Sequence, residues 1–580
     1  MNRFIKLFLT ALIFLSLLFS CNKNSLKDGV YHFHIFATND VHGRFFDSLY
    51  VVSQESQVHD YSLASVAGYM KYVRDTLPEH SIILLDLGDH LQGDNAAFYY
   101  NFIDTVSEHL FSRVANYLNY DAVVVGNHDI EPGHQVYDKV VVELNMPYLA
   151  ANALDNKTEK PYFKPYTILN KNGIKVAIIG MTNPNITNWL SPHLWDGIEF
   201  EEIAPSLEHW IQYVREKEKP HFVVVAMHAG LGKEDIDSKE NPARFIAKHI
   251  KGIDIVFAAH DHKTTVEKLY NGEKDIWLLE GGSRASTLSK ANIELTIENG
   301  MVVSTNVTGE GISMSGVEPD SSYINFFRED FLKVQRFTNQ AVGTLNNDIT
   351  TRDAYFGSSA YIDMIHSLQL KASGAQISFA APLSFDTNKE KGMLNYQDLL
   401  NLYPYENQLY IIEMSGLEIK NYLEYSYSKW VNPNPLQSGH LLQINMDGTG
   451  ERSRFNSVYF NFDSAAGIVY EVDITKGDGE RVNILSLANR ATFNLESKYS
   501  VALTSYRASG GGELLQLGAG IPKEEMPSRQ IARLADIREL LYNQIQEDGF
   551  IEAKKLNHWK FVPENLAIKL AAKDYKLLFE

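Results

Sequence analysis

Residues 33–43 read Phe33-His34-Ile35-Phe36-Ala37-Thr38-Asn39-Asp40-Val41-His42-Gly43. A short, mostly apolar run with the length of a buried strand passes directly into a polar cluster that carries Asp, Asn and His. The same pattern recurs along the first half of the chain. The run 82–87 ends in Asp86-Leu87-Gly88-Asp89, and the run 122–126 ends in Gly126-Asn127-His128-Asp129. The run 222–227 leads into His228-Ala229-Gly230, and 253–258 leads into His260-Asp261-His262. A further apolar run spans 176–180. Segments 66–76 and 203–216 lie between the runs and have helix-compatible spacing. Short buried strands alternating with amphipathic helices predict an α/β domain. In an open α/β sheet ligands bind beyond the carboxyl ends of the strands, which is where all five clusters fall.

The chemistry of these clusters is specific. In an Asp-x-His or His-x-His pair at an extended chain end, both side chains point the same way, because strand periodicity is two. Carboxylate, amide oxygen and imidazole nitrogen together suit Mn, Zn, Fe or Co better than a thiolate-selected metal. A carboxylate can bridge two cations with its two oxygens, and two cations ~3.5–4 Å apart support in-line attack on phosphorus. Any one of these motifs alone is an ordinary loop; five in order at strand ends are not a coincidence. Histidine usage agrees, since sixteen of the 19 histidines precede residue 263.

The chain has 580 residues, enough for two large domains, with 44% hydrophobic and 22% charged residues. That composition excludes wholesale disorder, collagen and a multi-span membrane protein. A net charge of −19 argues against binding a nucleic-acid polymer. It leaves room for a small phosphorylated substrate, because a bound metal reverses the local field. The single cysteine excludes an internal disulfide and a Cys-rich metal site. It is Cys21, directly after Ser20 and an apolar stretch that begins behind Arg3 and Lys6. This resembles a bacterial lipoprotein signal. The resemblance implies a signal peptide over 1–20, lipidation of Cys21, a tether over 21–30 and a lipid-anchored position in the cell envelope, periplasmic or surface-exposed. The remaining organisation is expected as one domain over 31–310, a linker with a helix over 311–343, and a second domain over 344–580.

The five clusters resemble the calcineurin-like metallophosphoesterase superfamily, with Ala259 where a glycine is usual before His260-x-His262. The resemblance implies a four-layer sandwich holding two divalent metal ions. One would be held by Asp40, His42, Asp89 and His262, and the other by Asp89, Asn127, His228 and His260, with Asp89 bridging. His128 would be the unliganded catalytic imidazole. Asp86-x-Gly88-Asp89-x-x-x-Gly93 further resembles the 5′-nucleotidase family, in which an Asp three residues after that histidine orients it. Here the position holds Glu131, one methylene longer.

In the second half, a glycine triplet follows Tyr506-Arg507-Ala508-Ser509, and a second aromatic stands in Leu402-Tyr403-Pro404-Tyr405-Glu406-Asn407. Two rings could clamp a nucleobase, each stacking contact contributing ~1–3 kcal/mol. With 31 tyrosines in the chain, most must serve packing alone. These stretches, with Ile377-Ser378-Phe379-Ala380-Ala381-Pro382 and Asn461-Phe462-Asp463, resemble the C-terminal α/β nucleotide-binding domain of the 5′-nucleotidase family. They are closest to its 2′,3′-cyclic-nucleotide 2′-phosphodiesterase/3′-nucleotidase branch. The resemblance implies that Tyr405 and Tyr506 stack the base, with Asn407, Gly510 and Gly511 nearby. The arginine and ribose-binding aspartate usual in 5′-nucleotidases are replaced by 380–382 and by Gly510-Gly511-Gly512-Glu513. The expected protein is a monomeric, metal-dependent nucleotide phosphohydrolase used in scavenging. Two alternatives stand beside it: a 5′-nucleotidase or UDP-sugar hydrolase, and a nucleotide-binding lipoprotein whose active site has lapsed.

Overall fold

The computed structural model describes residues 26–48, 59–405, 407–448 and 454–580. The signal and lipidation reading at 1–20 and Cys21 lies outside the described residues, as does most of the tether. The strand Gly29–Thr38 already includes the last two tether positions.

Two six-stranded sheets form the first half. One orders its strands Met301–Ser313, Thr287–Glu298, Gly29–Thr38, Ile82–Asp86, Ala122–Val124, Tyr148–Leu149. The other runs Thr264–Tyr270, Asp275–Gly281, Ile255–Phe257, Phe222–Met227, Ile174–Met181, Tyr166–Lys171. Strand alternation explains how they stack. In Gly29–Thr38 the side chains of Phe33, Ile35 and Ala37 enter the core between the sheets, while Phe36 faces the opposite way into a helix-covered core. Burying each such side chain contributes about 1.5–3 kcal/mol. Helices Leu63–Thr76, Leu110–Leu118 and His134–Glu143 cover the first sheet. Helices Ile203–Lys217 and Ala243–His249 cover the second. The result is the four-layer sandwich, helix, sheet, sheet, helix. All six short runs read from the sequence are strands, and the helical segments read at 66–76 and 203–216 lie inside Leu63–Thr76 and Ile203–Lys217.

The linker differs from expectation. The strand Met301–Ser313 continues past residue 310 because it remains paired with Thr287–Glu298 up to Thr287↔Ser313. The amphipathic segment that follows is two helices, Ser321–Phe326 and Arg328–Thr338, and it packs on the first domain. Tyr323, Phe327 and Val334 are buried in the same core as Phe36, and the Tyr323 hydroxyl donates to the Phe45 carbonyl at 3.1 Å. Asp330 accepts from the Tyr100 hydroxyl and from Arg113, each at 2.5 Å.

The second half is built on a five-stranded sheet, ordered Ser464–Ala466, Ile377–Ala380, Lys498–Thr504, Gln408–Ser415, Gln530–Asp536. Helices Ala360–Ser373, Gly416–Trp430 and Ile537–Asp548 pack around it. The two halves touch directly. The Tyr410 hydroxyl donates to Ser191 at 2.7 Å, Arg533 meets His193 at 2.7 Å, and the Arg538 guanidinium lies 4.7 Å above the Phe98 ring. Among the described residues, no helix is long and apolar enough to cross a membrane.

Candidate active site

The carboxyl ends of Gly29–Thr38, Ile82–Asp86 and Ala122–Val124 converge with those of Phe222–Met227 and Ile255–Phe257 from the other sheet. Two clusters stand there: Asp40, His42 and His262, and beside them Asp89, His228 and His260, each with ligating atoms within 4.8 Å of one another. Asn127 joins the second cluster, its Oδ1 lying 3.1 Å from His228 Nε2 and 2.9 Å from His260 Nδ1. All seven residues read from the sequence as metal-binding are therefore together; Asp89, read there as bridging both sites, groups with His228 and His260.

The loops carry backbone strain. Asp40, His42, Asp89, His260 and His262 all have positive φ, between 47° and 86°. Non-glycine residues adopt this region at a cost of order 1–3 kcal/mol, and such outliers gather at functional sites. The loops also touch closely, and a Cβ on Gly126 would lie 2.2 Å from Asp89 Oδ1. Asp129 holds them in place. One of its carboxylate oxygens accepts from the N–H groups of Asp89 and Gly126 at 3.0 and 2.7 Å. The other accepts from His90 and Leu91 at 2.9 and 3.1 Å. Asn39 similarly donates to Asp40 and to the Gly282 carbonyl.

Hydrogen-bond accounting shows that the site fits cations. His228 Nδ1 lies 2.8 Å from the Leu87 carbonyl, so that nitrogen carries the proton and Nε2 presents a lone pair. That lone pair faces Asp89 Oδ2 at 3.1 Å and Asn127 Oδ1 at 3.1 Å, which are acceptors as well. His42 repeats the arrangement, with Nδ1 at 3.1 Å from the Gln92 carbonyl and Nε2 at 3.1 Å from His262 Nε2. Converging lone pairs in a buried place are stable only around positive charge. The titration directions express the same demand for positive charge, which a second proton on His228 would meet where a cation does not. Burial opposes a charged His228, but the Asp89 and Asp40 carboxylates push it up to about 10. Burial pushes Asp40 up to about 6, against the pull of His228, while Asp89, buried but surrounded by His228, His128 and His42, sits well below the usual carboxylate range. The nitrogen and oxygen donors match the divalent class expected from the sequence.

His128 stands at the cavity edge. Its Nδ1 is 2.5 Å from Glu131 Oε2, so the longer side chain at 131 does reach it. Burial works against the protonated ring, but Asp89 and Glu131 outweigh it and raise His128 to about 9.

A cavity of about 1130 Å³ joins this centre to the second half. Asp89, Asn127, His128, Glu131, His260 and His262 line one wall. Tyr405, Asn407, Tyr506, Gly510 and Gly511 line the other, so every substrate residue read from the sequence faces the same space. Gly511 permits the Tyr506 ring to lie on the backbone, since a Cβ there would come within 2.4 Å of it. Two participants on this wall were not legible in the sequence. Phe460 lies edge-on to Tyr405 with centroids 6.0 Å apart. Arg507 uses all five guanidinium N–H groups: on Asp463 at 3.0 and 2.7 Å, Phe460 O at 2.5 Å, Asn461 Oδ1 at 2.8 Å and Gly511 O at 3.1 Å. It thereby fixes the Phe460 segment to the glycine loop.

Residues 33–264 match the calcineurin-like phosphoesterase family, and residues 341–518 match the 5′-nucleotidase C-terminal domain family. The chain joins a calcineurin-like phosphoesterase domain to a 5′-nucleotidase C-terminal domain. As such it is a hydrolase of phosphate esters, in a family whose catalytic domain uses divalent metals. It is 24% identical to the trifunctional nucleotide phosphoesterase protein YfkN of Bacillus subtilis, over 92% of this chain and 39% of that longer protein. It is also 24% identical to a Salmonella typhimurium 2′,3′-cyclic-nucleotide 2′-phosphodiesterase/3′-nucleotidase, over 82% of this chain and 81% of that one. A solved Staphylococcus aureus structure described as a 5′-nucleotidase, in complex with alpha-ketoglutarate, shares the fold. Its TM-score is 0.75 at 19% identity, covering 92% of this phosphoesterase and all of that chain.

Proposed function

We propose that this phosphoesterase is a two-metal nucleotide phosphohydrolase of the cell envelope, acting on 2′,3′-cyclic nucleotides and 3′-nucleotides in nucleotide scavenging. The observation that carries the reading is the single cavity with a cation-fitting centre on one wall and an aromatic, glycine-lined platform on the other. Asp40, His42, Asp89 and His262 would hold one divalent ion, and Asp89, Asn127, His228 and His260 the second. Bound there, such ions supply positive charge to the phosphoryl oxygens and ease deprotonation of the attacking water.

The chain's own groups do the rest. Tyr405, Phe460 and Tyr506 take the base, with Asn407 beside them, so that binding energy far from phosphorus orients the ester toward the centre. His128, with Nδ1 committed to Glu131, offers Nε2 to the phosphoryl group or the leaving oxygen. The branch reading is supported by Ala380 and Ala381 at the cavity wall, in the stretch where 5′-nucleotidases are expected to carry an arginine.

Turnover of 2′,3′-cyclic AMP, 3′-AMP and 5′-AMP with Mn²⁺ tests the reading. Hydrolysis of the first two is expected. Exclusive hydrolysis of 5′-AMP would replace the branch with the 5′-nucleotidase alternative. Nucleotide binding without turnover would favour a lapsed site.

A further inference from the structure

The His260 ring is gripped on three sides. Its Nδ1 faces Asn127 Oδ1 at 2.9 Å, and its Nε2 lies 3.2 Å from Glu240 Oε1. One ring face is covered by Trp189, stacked with centroids 5.3 Å apart and planes 18° from parallel. Its backbone N–H donates to Asp40 at 3.0 Å. We infer that Glu240 and Trp189 are positioning residues for the second metal site, acting through His260; this rests on the two-metal reading above.

A neutral imidazole has one N–H and one lone pair, and the partner of one nitrogen decides which is which. Glu240 is an acceptor, so it draws the proton to Nε2 and leaves the Nδ1 lone pair directed at Asn127, Asp89 and His228. A ligating histidine commonly has such a carboxylate behind it, and losing that partner lowers metal affinity about 10–100-fold. Trp189 blocks rotation of the ring out of this plane.

The position of Glu240 is itself built. Its backbone carbonyl accepts from Gly230 N at 3.3 Å and from Asn183 Nδ2 at 3.1 Å, and Ala243 N returns to the Gly230 carbonyl at 3.1 Å. The loop that begins at His228 therefore closes on itself two residues later and delivers Glu240 to His260. One loop supplies one ligand of the second site and orients another. Glu240 and Trp189 both line the cavity, and nothing in the reaction requires either to touch phosphorus.

The test is Mn²⁺ titration of the metal-stripped full chain by calorimetry, with metal content checked after dialysis. Glu240→Ala should retain one ion at wild-type affinity and bind the other about 10–100-fold more weakly. Glu240→Gln, whose amide oxygen still accepts from Nε2–H, should stay within about threefold of wild type for both ions, and this conservative rescue separates orientation from charge. Trp189→Ala should weaken the same ion and spare the other. Glu240→Ala binding two ions with unchanged affinity would overturn the assignment, as would equal weakening of both ions with a lowered melting temperature in the metal-free chain. Wild-type protein that binds two Mn²⁺ but hydrolyses no nucleotide would overturn the functional proposal instead and leave this one standing.

Discussion

His128 Nδ1 and Glu131 Oε2 are 2.5 Å apart, three residues along one short helical turn. The pair fixes which nitrogen of His128 faces the cavity. On the proposed chemistry, His128→Ala should lower kcat by roughly 10²–10⁴, the range for a positioned acid or base, while Mn²⁺ stoichiometry stays at two. Glu131→Gln should lower kcat less and leave KM nearly unchanged. Steady-state kinetics alongside metal analysis checks both.

The aromatic wall gives a second expectation. Tyr405→Ala or Phe460→Ala should remove stacking of ~1–3 kcal/mol, raising KM for nucleotides by about 5- to 150-fold. Hydrolysis of bis(p-nitrophenyl) phosphate, which has no base, should change little. Equal losses on both substrates would show that these rings support the fold and do not hold the base.

Arg507 is buried and bidentate on Asp463, with its other donors on backbone and Asn461. Lysine cannot reproduce that planar fork. Arg507→Lys should destabilise the second domain by about 3 kcal/mol, near the lower end for a broken buried pair. It should also raise KM for nucleotides by loosening Phe460. Urea unfolding and kinetics on the same preparation test both effects.

Asp129 satisfies four buried backbone N–H groups. Asp129→Ala should cost about 3 kcal/mol or more, since each unsatisfied buried donor costs about 1–3 kcal/mol. Because those donors belong to the loops bearing Asp89 and Asn127, Mn²⁺ affinity should fall with stability. Calorimetric unfolding paired with Mn²⁺ titration decides it.

Acid sensitivity follows from His366, buried between Ser378 and Ser464 hydroxyls at 2.9 and 3.1 Å. Burial, aided by His558, lowers it to about 3, against an ordinary value of 6.5. A folded-state pKa below the unfolded one means the unfolded chain takes the proton first. Stability from this residue is complete above pH 6.5 and is lost as pH falls from 6.5 toward 3. The melting temperature should drop across that window, and His366→Asn, lower at pH 7.5, should show a shallower slope.

The cation centre was legible because each ligand lies within a few residues of a strand end, and strand ends can be read from local hydrophobicity. Asp40 and His42 follow Thr38, and His228 follows Met227 directly. Tyr405 and Tyr506 were legible only through resemblance, as two rings among many. Phe460, Arg507, Trp189 and Glu240 act through contacts set by tertiary packing. Glu240 meets a histidine 20 residues away, and Arg507 meets Asp463 44 residues away, and no periodicity encodes either. The linker misled for a related reason: its amphipathic spacing shows that Tyr323, Phe327 and Val334 want a core, without saying which core receives them.

The cation-fitting centre and the aromatic platform stand in different halves of the chain, and Ser191, which receives the Tyr410 hydroxyl across the boundary, lies on the wall of the cavity between them. A molecule spanning that cavity is also a cross-brace. Its binding free energy adds to the cohesion of the two halves, and their cohesion adds to its affinity, by the same amount in each direction. Substitutions at Tyr410 or His193, far from phosphorus, would therefore register as changed substrate affinity, and saturating nucleotide would register as resistance to separating the halves.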